Sequence, residues 1–81
     1  MYLITMRSVT YANKCKRCLN RAGFWCNLRR TPQQISSCGC GYCIEIDSRN
    51  LQNIMRLLER NYIPYESIWE STGSGYQEVK L

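Results

Sequence analysis

The chain contains no histidine, and that absence removes the Cys-His catalytic pair from consideration, because such a pair needs an imidazole to take the thiol proton. Any activated thiol must instead draw on backbone amides and cationic side chains. Long apolar runs are also missing: the uninterrupted hydrophobic stretches are only a few residues long, far short of the ~20 residues that span a bilayer. The segment Met1 to Met6 lacks both a basic n-region and an extended apolar core, so it does not read as a signal peptide. The expectation is a cytoplasmic chain with no membrane partner, whose thiols stay reduced.

Acidic residues are absent from the whole first half. Residues 1–44 carry Arg7, Lys14, Lys16, Arg17, Arg21, Arg29 and Arg30 without one Asp or Glu, whereas residues 45–81 hold six acids against four bases. The net charge of +5 is therefore concentrated in the N-terminal half. Such a half favours an anionic partner and lowers thiol pKa values near it; a merely solvated basic surface is the plainer alternative.

What is present fits one small globular domain: 81 residues, 44% hydrophobic and 21% charged. A chain of this size buries only about 60–65% of its unfolded surface, so its core is modest. Tyr2 to Met6 predicts a first strand. Ser8 predicts the N-cap of a helix in which Tyr11, Cys15, Cys18, Leu19 and Ala22 recur at helical spacing, and Gly23 predicts its end. Phe24 to Arg30 reads as a second strand and Tyr42 to Ile46 as a third, with Tyr42, Ile44 and Ile46 on one face and Cys43 and Glu45 on the other. Asp47 or Ser48 should cap a second helix with Leu51, Ile54, Met55 and Leu58 on one face, and Asn61 should be its left-handed stop. Glu66 to Glu70 predicts a fourth strand.

This order predicts an α+β domain of ferredoxin-like βαββαβ type over residues 1–71: an antiparallel four-stranded sheet with two helices on one face. Residues 72–81, opening on Thr72-Gly73-Ser74-Gly75, read as a flexible tail or an extra edge strand.

Six cysteines carry the chemistry. Cys15 and Cys18 form a Cys-x-x-Cys pair, a spacing shared by redox motifs and zinc knuckles. Their place on the apolar stripe of a helix argues instead for two small buried hydrophobes, and Cys26 reads as core too. Cys38 and Cys40 are different, for their flanks are Ser36, Ser37, Gly39 and Gly41. Glycines adopt positive φ and let backbone amides converge on a thiolate or a bound anion, so these two are the candidate reactive thiols, with the serines and glycines as loop support. A flexible turn with incidental cysteines is the bland alternative. A zinc alternative takes Cys15, Cys18, Cys40 and Cys43 as ligands, because two Cys-x-x-Cys pairs separated by 21 residues approach the ribbon spacing.

The segment Thr31-Pro32-Gln33-Gln34-Ile35-Ser36-Ser37-Cys38-Gly39-Cys40-Gly41-Tyr42, followed by a strand, a helix and Tyr65-Glu66-Ser67-Ile68, resembles the small bacterial proteins described as selenium/sulfur carrier-like. The likeness extends to the first helix and its Ala-Gly end. It implies a carrier in which Cys40 or Cys38 takes up sulfur or selenium as a persulfide-type adduct and passes it from a donor protein to an acceptor, with no cofactor beyond that adduct. The family shows one Cys-Gly pair where this chain has Cys38-Gly39 and Cys40-Gly41, so both thiols remain candidates for the role. The alternative is an adaptor module that holds zinc on cysteines or RNA on its basic half; with no RNP-type motif in the strands, RNA ranks low.

Overall fold

Tyr2–Met6 forms strand β1, and its alternation decides the layering of the whole domain. In the computed structural model, which describes residues 1–35 and 41–80, β1 is central. It pairs antiparallel with β3 (Tyr42–Ile46) on one side and β4 (Ser67–Thr72) on the other. Strand β2 (Cys26–Arg30) adds outside β3, and β5 (Gly75–Val79) outside β4. The sheet order is β2-β3-β1-β4-β5, all antiparallel.

Helices α1 (Val9–Arg21) and α2 (Leu51–Arg60) pack on the same face. Ile4 sits in register between Ile44 and Ile68. With Met6 and Ile46 these side chains meet Ala12, Cys15 and Leu19 of α1 and Leu51, Ile54 and Leu58 of α2 in one core. The α2 stripe expected from spacing is thus buried, except that Met55 is only partly covered at its margin.

Among the described residues the sheet has five strands: beside the four expected in the domain, the C-terminal stretch takes its edge-strand alternative as β5. After Thr72 the chain turns through Gly73 and Ser74, and the Thr72 hydroxyl donates to the Gly75 carbonyl at 3.1 Å. The returning strand pairs with β4 over Ile68 to Thr72, which also carries β4 two residues past its expected end at Glu70.

Both helices finish in the same backbone motif. After α1, Phe24 N–H donates to the Leu19 carbonyl at 2.9 Å, with Gly23 at φ +85°. That bond commits Phe24 to the helix cap, and β2 accordingly starts at Cys26 rather than at Phe24. After α2, Ile63 N–H donates to the Leu58 carbonyl at 2.9 Å, and the left-handed residue is Tyr62 at φ +56°. Asn61, expected in that role, has φ −96°; its side-chain amide instead donates to the Leu57 carbonyl at 2.8 Å.

A tyrosine in a left-handed conformation costs about 1 kcal/mol that glycine avoids. Tyr62→Gly should therefore raise stability by about 0.5–1 kcal/mol, read as a higher urea midpoint at unchanged slope. A lower midpoint would mean that the ring contributes packing its 88% exposure does not suggest.

Candidate functional site

Residues 36–40, which include both candidate thiols and their serine and glycine flanks, lie outside the described residues. The described residues on either side define the neck from which that loop springs. β2 and β3 end on the pair Arg30 and Tyr42. Just beyond it, Thr31 N–H donates to the Gly41 carbonyl at 3.2 Å, while Ile35 N–H donates to the Pro32 carbonyl at 3.0 Å.

Gly41 holds φ +126°, a region that side chains disfavour. A Cβ placed there would stand 3.6 Å from Thr31 Oγ1, an ordinary contact. The backbone angle, not a lack of space, is what calls for glycine.

Two cations and a buried thiol surround the neck. The Arg30 guanidinium lies 5.8 Å from the centre of the Tyr42 ring, within cation–π range. Arg29 pairs with Glu45 at 3.8 Å across the strands. Cys43, fully buried, donates weakly from Sγ to the Arg30 carbonyl at 3.9 Å. Burial pushes the Cys43 thiol up, and the Arg29 charge and a hydrogen bond with Thr31 pull it back.

Cys43 and Glu45 occupy the sheet face opposite the helices, as their alternation with Ile44 and Ile46 predicts. That face is tied down by a polar relay. The Trp69 indole N–H donates to Ser67 Oγ at 2.8 Å, Ser67 Oγ meets Thr5 Oγ1, and Ser67 N–H donates to Thr5 Oγ1 at 2.9 Å. Leu3, paired with Trp69 and with Glu45, is buried there although no helix covers it.

The remaining described thiols lie on the helix side. Cys15 is fully buried on the sheet-facing side of α1. Cys18 and Cys26, expected in the core, are only half-buried at its margin, because β2 is an edge strand that the helix covers incompletely. Cys26 Sγ points at the Asn20 side-chain oxygen, 3.6 Å away, and at the Lys16 carbonyl. Burial, reinforced by the neighbouring Cys26 and Cys18 thiols, pushes Cys15 up to about 12.

The folded chain thus holds the Cys15 proton more tightly than the unfolded one. The stability this confers is whole below about pH 9 and is lost at about 1.4 kcal/mol per pH unit as the pH climbs from there towards 12. Urea unfolding of the parent and of Cys15→Ala at stepped alkaline pH should show the parent losing its lead over the variant. Parallel curves would refute the buried, neutral thiol.

The sheet stands between Cys43 and the Cys15–Cys18 pair. Four thiolates can share a zinc ion only by converging to about 2.3 Å from it, so this separation works against the ligand set Cys15, Cys18, Cys40 and Cys43. Among the described residues no group of three or more metal-binding side chains converges.

The neck shares its end of the sheet with two other segments. Met6 at the end of β1 pairs with Tyr42, and Ser67 at the start of β4 pairs with Thr5. Arg7 and Glu66 therefore lie at the same end of the sheet as Thr31 and Gly41. The sequence shows no sign of the clasp formed by Thr31, which is buried and donates its N–H to the Gly41 carbonyl; a threonine ten residues before a glycine carries no local signal.

Comparison with curated proteins and with solved structures gives no match. A family model described as "Putative Se/S carrier protein-like" matches residues 1–70, spanning both helices and the neck on both sides. The chain belongs to this selenium/sulfur carrier-like family.

Proposed function

We propose that the chain carries sulfur or selenium on a thiol of the loop, Cys40 or Cys38, and hands it from a donor protein to an acceptor. Membership of the carrier-like family carries this reading. The strand order β2-β3-β1-β4 supports a ferredoxin-like framework with β5 added at its edge. That framework holds the loop ends at a clasped, cationic neck.

Loading is an exchange without net redox change. The loop thiolate attacks the outer sulfur of a donor persulfide, the donor S–S bond breaks, and the donor leaves as a thiolate while the carrier holds Cys–S–SH. A second thiolate that attacks the inner sulfur forms a disulfide and expels hydrosulfide, or hydroselenide for selenium. The other loop cysteine is placed by sequence to do this, and a thiol reductant of a reducing cytoplasm then restores both thiols.

The chemistry needs a thiolate near neutral pH. On single-cysteine variants, the alkylation rate of one loop thiol should be close to its plateau by pH 7–8, below the ordinary thiol pKa of about 8.5. Ordinary titration at both Cys38 and Cys40 would refute an activated loop thiol.

A further inference from the structure

One side of α1 and the segment between α2 and β4 form the two walls of an open groove. Three adjoining hollows make it up. Lys14, Arg17, Cys18 and Arg21 face Asn61 and Ile63 across a hollow of about 280 Å³. Tyr11 and Lys14 face Tyr62, Ile63 and Pro64 across the next, of about 510 Å³. Arg7 and Tyr11 face Pro64, Tyr65 and Glu66 across the last, of about 460 Å³. Shared residues join each hollow to its neighbour.

The α1 wall is basic because Lys14, Arg17 and Arg21 recur at turns of one helix, and Arg7 extends the line past its N-terminus. All four are exposed, and among the described residues none pairs with a carboxylate. Glu59 and Glu66 stand on the other wall, so cations outnumber acids four to two.

Three tyrosine rings line the same groove: Tyr11 at 38% exposure, Tyr65 at 42% and Tyr62 at 88%. Tyr62 keeps its ring in solvent from a left-handed backbone position that would be more stable as glycine. The α1 end, in the same motif, does use glycine. A bulky residue held where it costs stability points to function at that position.

We propose that this groove binds single-stranded nucleic acid, with phosphates along Lys14, Arg17 and Arg21 and bases stacked on Tyr11, Tyr62 and Tyr65. A cationic track beside accessible rings is the arrangement that holds unpaired strands, since every base offers a π face. A duplex keeps its bases stacked inside and cannot use the rings. The absence of an RNP-type motif speaks only to binding through the sheet, whose open face presents Leu3, Thr5, Cys43 and Glu45 on its central strands. The groove lies on the helices.

The test is fluorescence anisotropy with a labelled oligouridylate of about 12 nucleotides. With three phosphates neutralised, one by each of Lys14, Arg17 and Arg21, raising salt from about 50 to 200 mM should weaken binding about 20-fold. Tyr62→Gly should weaken it about fivefold or more without lowering the melting temperature. Joint replacement of Lys14, Arg17 and Arg21 by Gln should remove most of the salt dependence, whereas Arg56→Gln, outside the groove, should not.

Serine at Cys38 and Cys40 should leave oligonucleotide binding unchanged, which keeps this test separate from that of the carrier. Absence of salt-dependent binding, full affinity in Tyr62→Gly, or equal affinity for an RNA duplex would each overturn the proposal. So would displacement by an oligoglutamate peptide as effective as by unlabelled oligonucleotide, which would mark the groove as a site for an acidic protein.

Discussion

Leu58→Ala should cost about 2–4 kcal/mol of stability, a large fraction of what a domain of this size possesses. Leu58 is 1% exposed, and it lies in the core with Leu51, Ile54 and the isoleucines of β1, β3 and β4. Its carbonyl also accepts the Ile63 N–H that ends α2. The side chain therefore anchors α2 to the sheet one turn before the chain turns towards β4. Removing it leaves a cavity that backbone-fixed neighbours on the strands cannot fill. Urea denaturation of the variant should show a lower midpoint with an unchanged slope. A loss below about 1 kcal/mol would mean that α2 is not the lid of this core.

The second large effect concerns the loop. Serine at the cargo-bearing position, Cys40 or Cys38, should abolish adduct formation, because an alcohol does not form the sulfur–sulfur bond by which the cargo is held. The double variant should carry nothing. Stability should stay within about 0.5 kcal/mol of the parent, the usual range for a position away from the core. Cys43 is a poor discriminator, since it is fully buried and its replacement disturbs packing in any reading. Cys40 separates the alternatives: a structural zinc site predicts unfolding when Cys40 is lost, whereas a carrier predicts an intact fold without cargo.

Much of the fold is legible in the sequence because the core follows simple periodicities. Alternation in Tyr42 to Ile46 assigns both faces of β3, and the spacing of Leu51, Ile54 and Leu58 assigns the inner face of α2. Ser8 and Gly23 mark the ends of α1 through local chemistry, with Tyr11 N–H donating to Ser8 Oγ and Gly23 in the left-handed region. The misses arise where tertiary pairing overrides local preference. Tyr62 occupies a position that sequence preference gives to glycine or asparagine, so neighbouring Asn61 draws the assignment.

β5 is weakly hydrophobic, with Tyr76 and Val79 half-covered, and its pairing partner rather than its composition makes it a strand. Cys18 reads as core by its place on the α1 stripe and Cys26 by its place in the second strand, but the edge of the sheet leaves both half-covered. The loop stands out through its glycines and cysteines, whereas its clasp, Thr31 to Gly41, joins residues that only the β2–β3 pairing brings together.

The carrier assignment is tested most directly by intact-protein mass spectrometry under anaerobic conditions, after incubation with a low-molecular-weight persulfide donor and removal of excess reagent. The account predicts a mass gain of one sulfur that survives denaturation, disappears on treatment with a thiol reductant, maps to Cys40 or Cys38, and is absent when both are serine. An unmodified mass, an adduct that maps to Cys15, Cys18, Cys26 or Cys43, or a gain of one zinc that is lost on denaturation would contradict it.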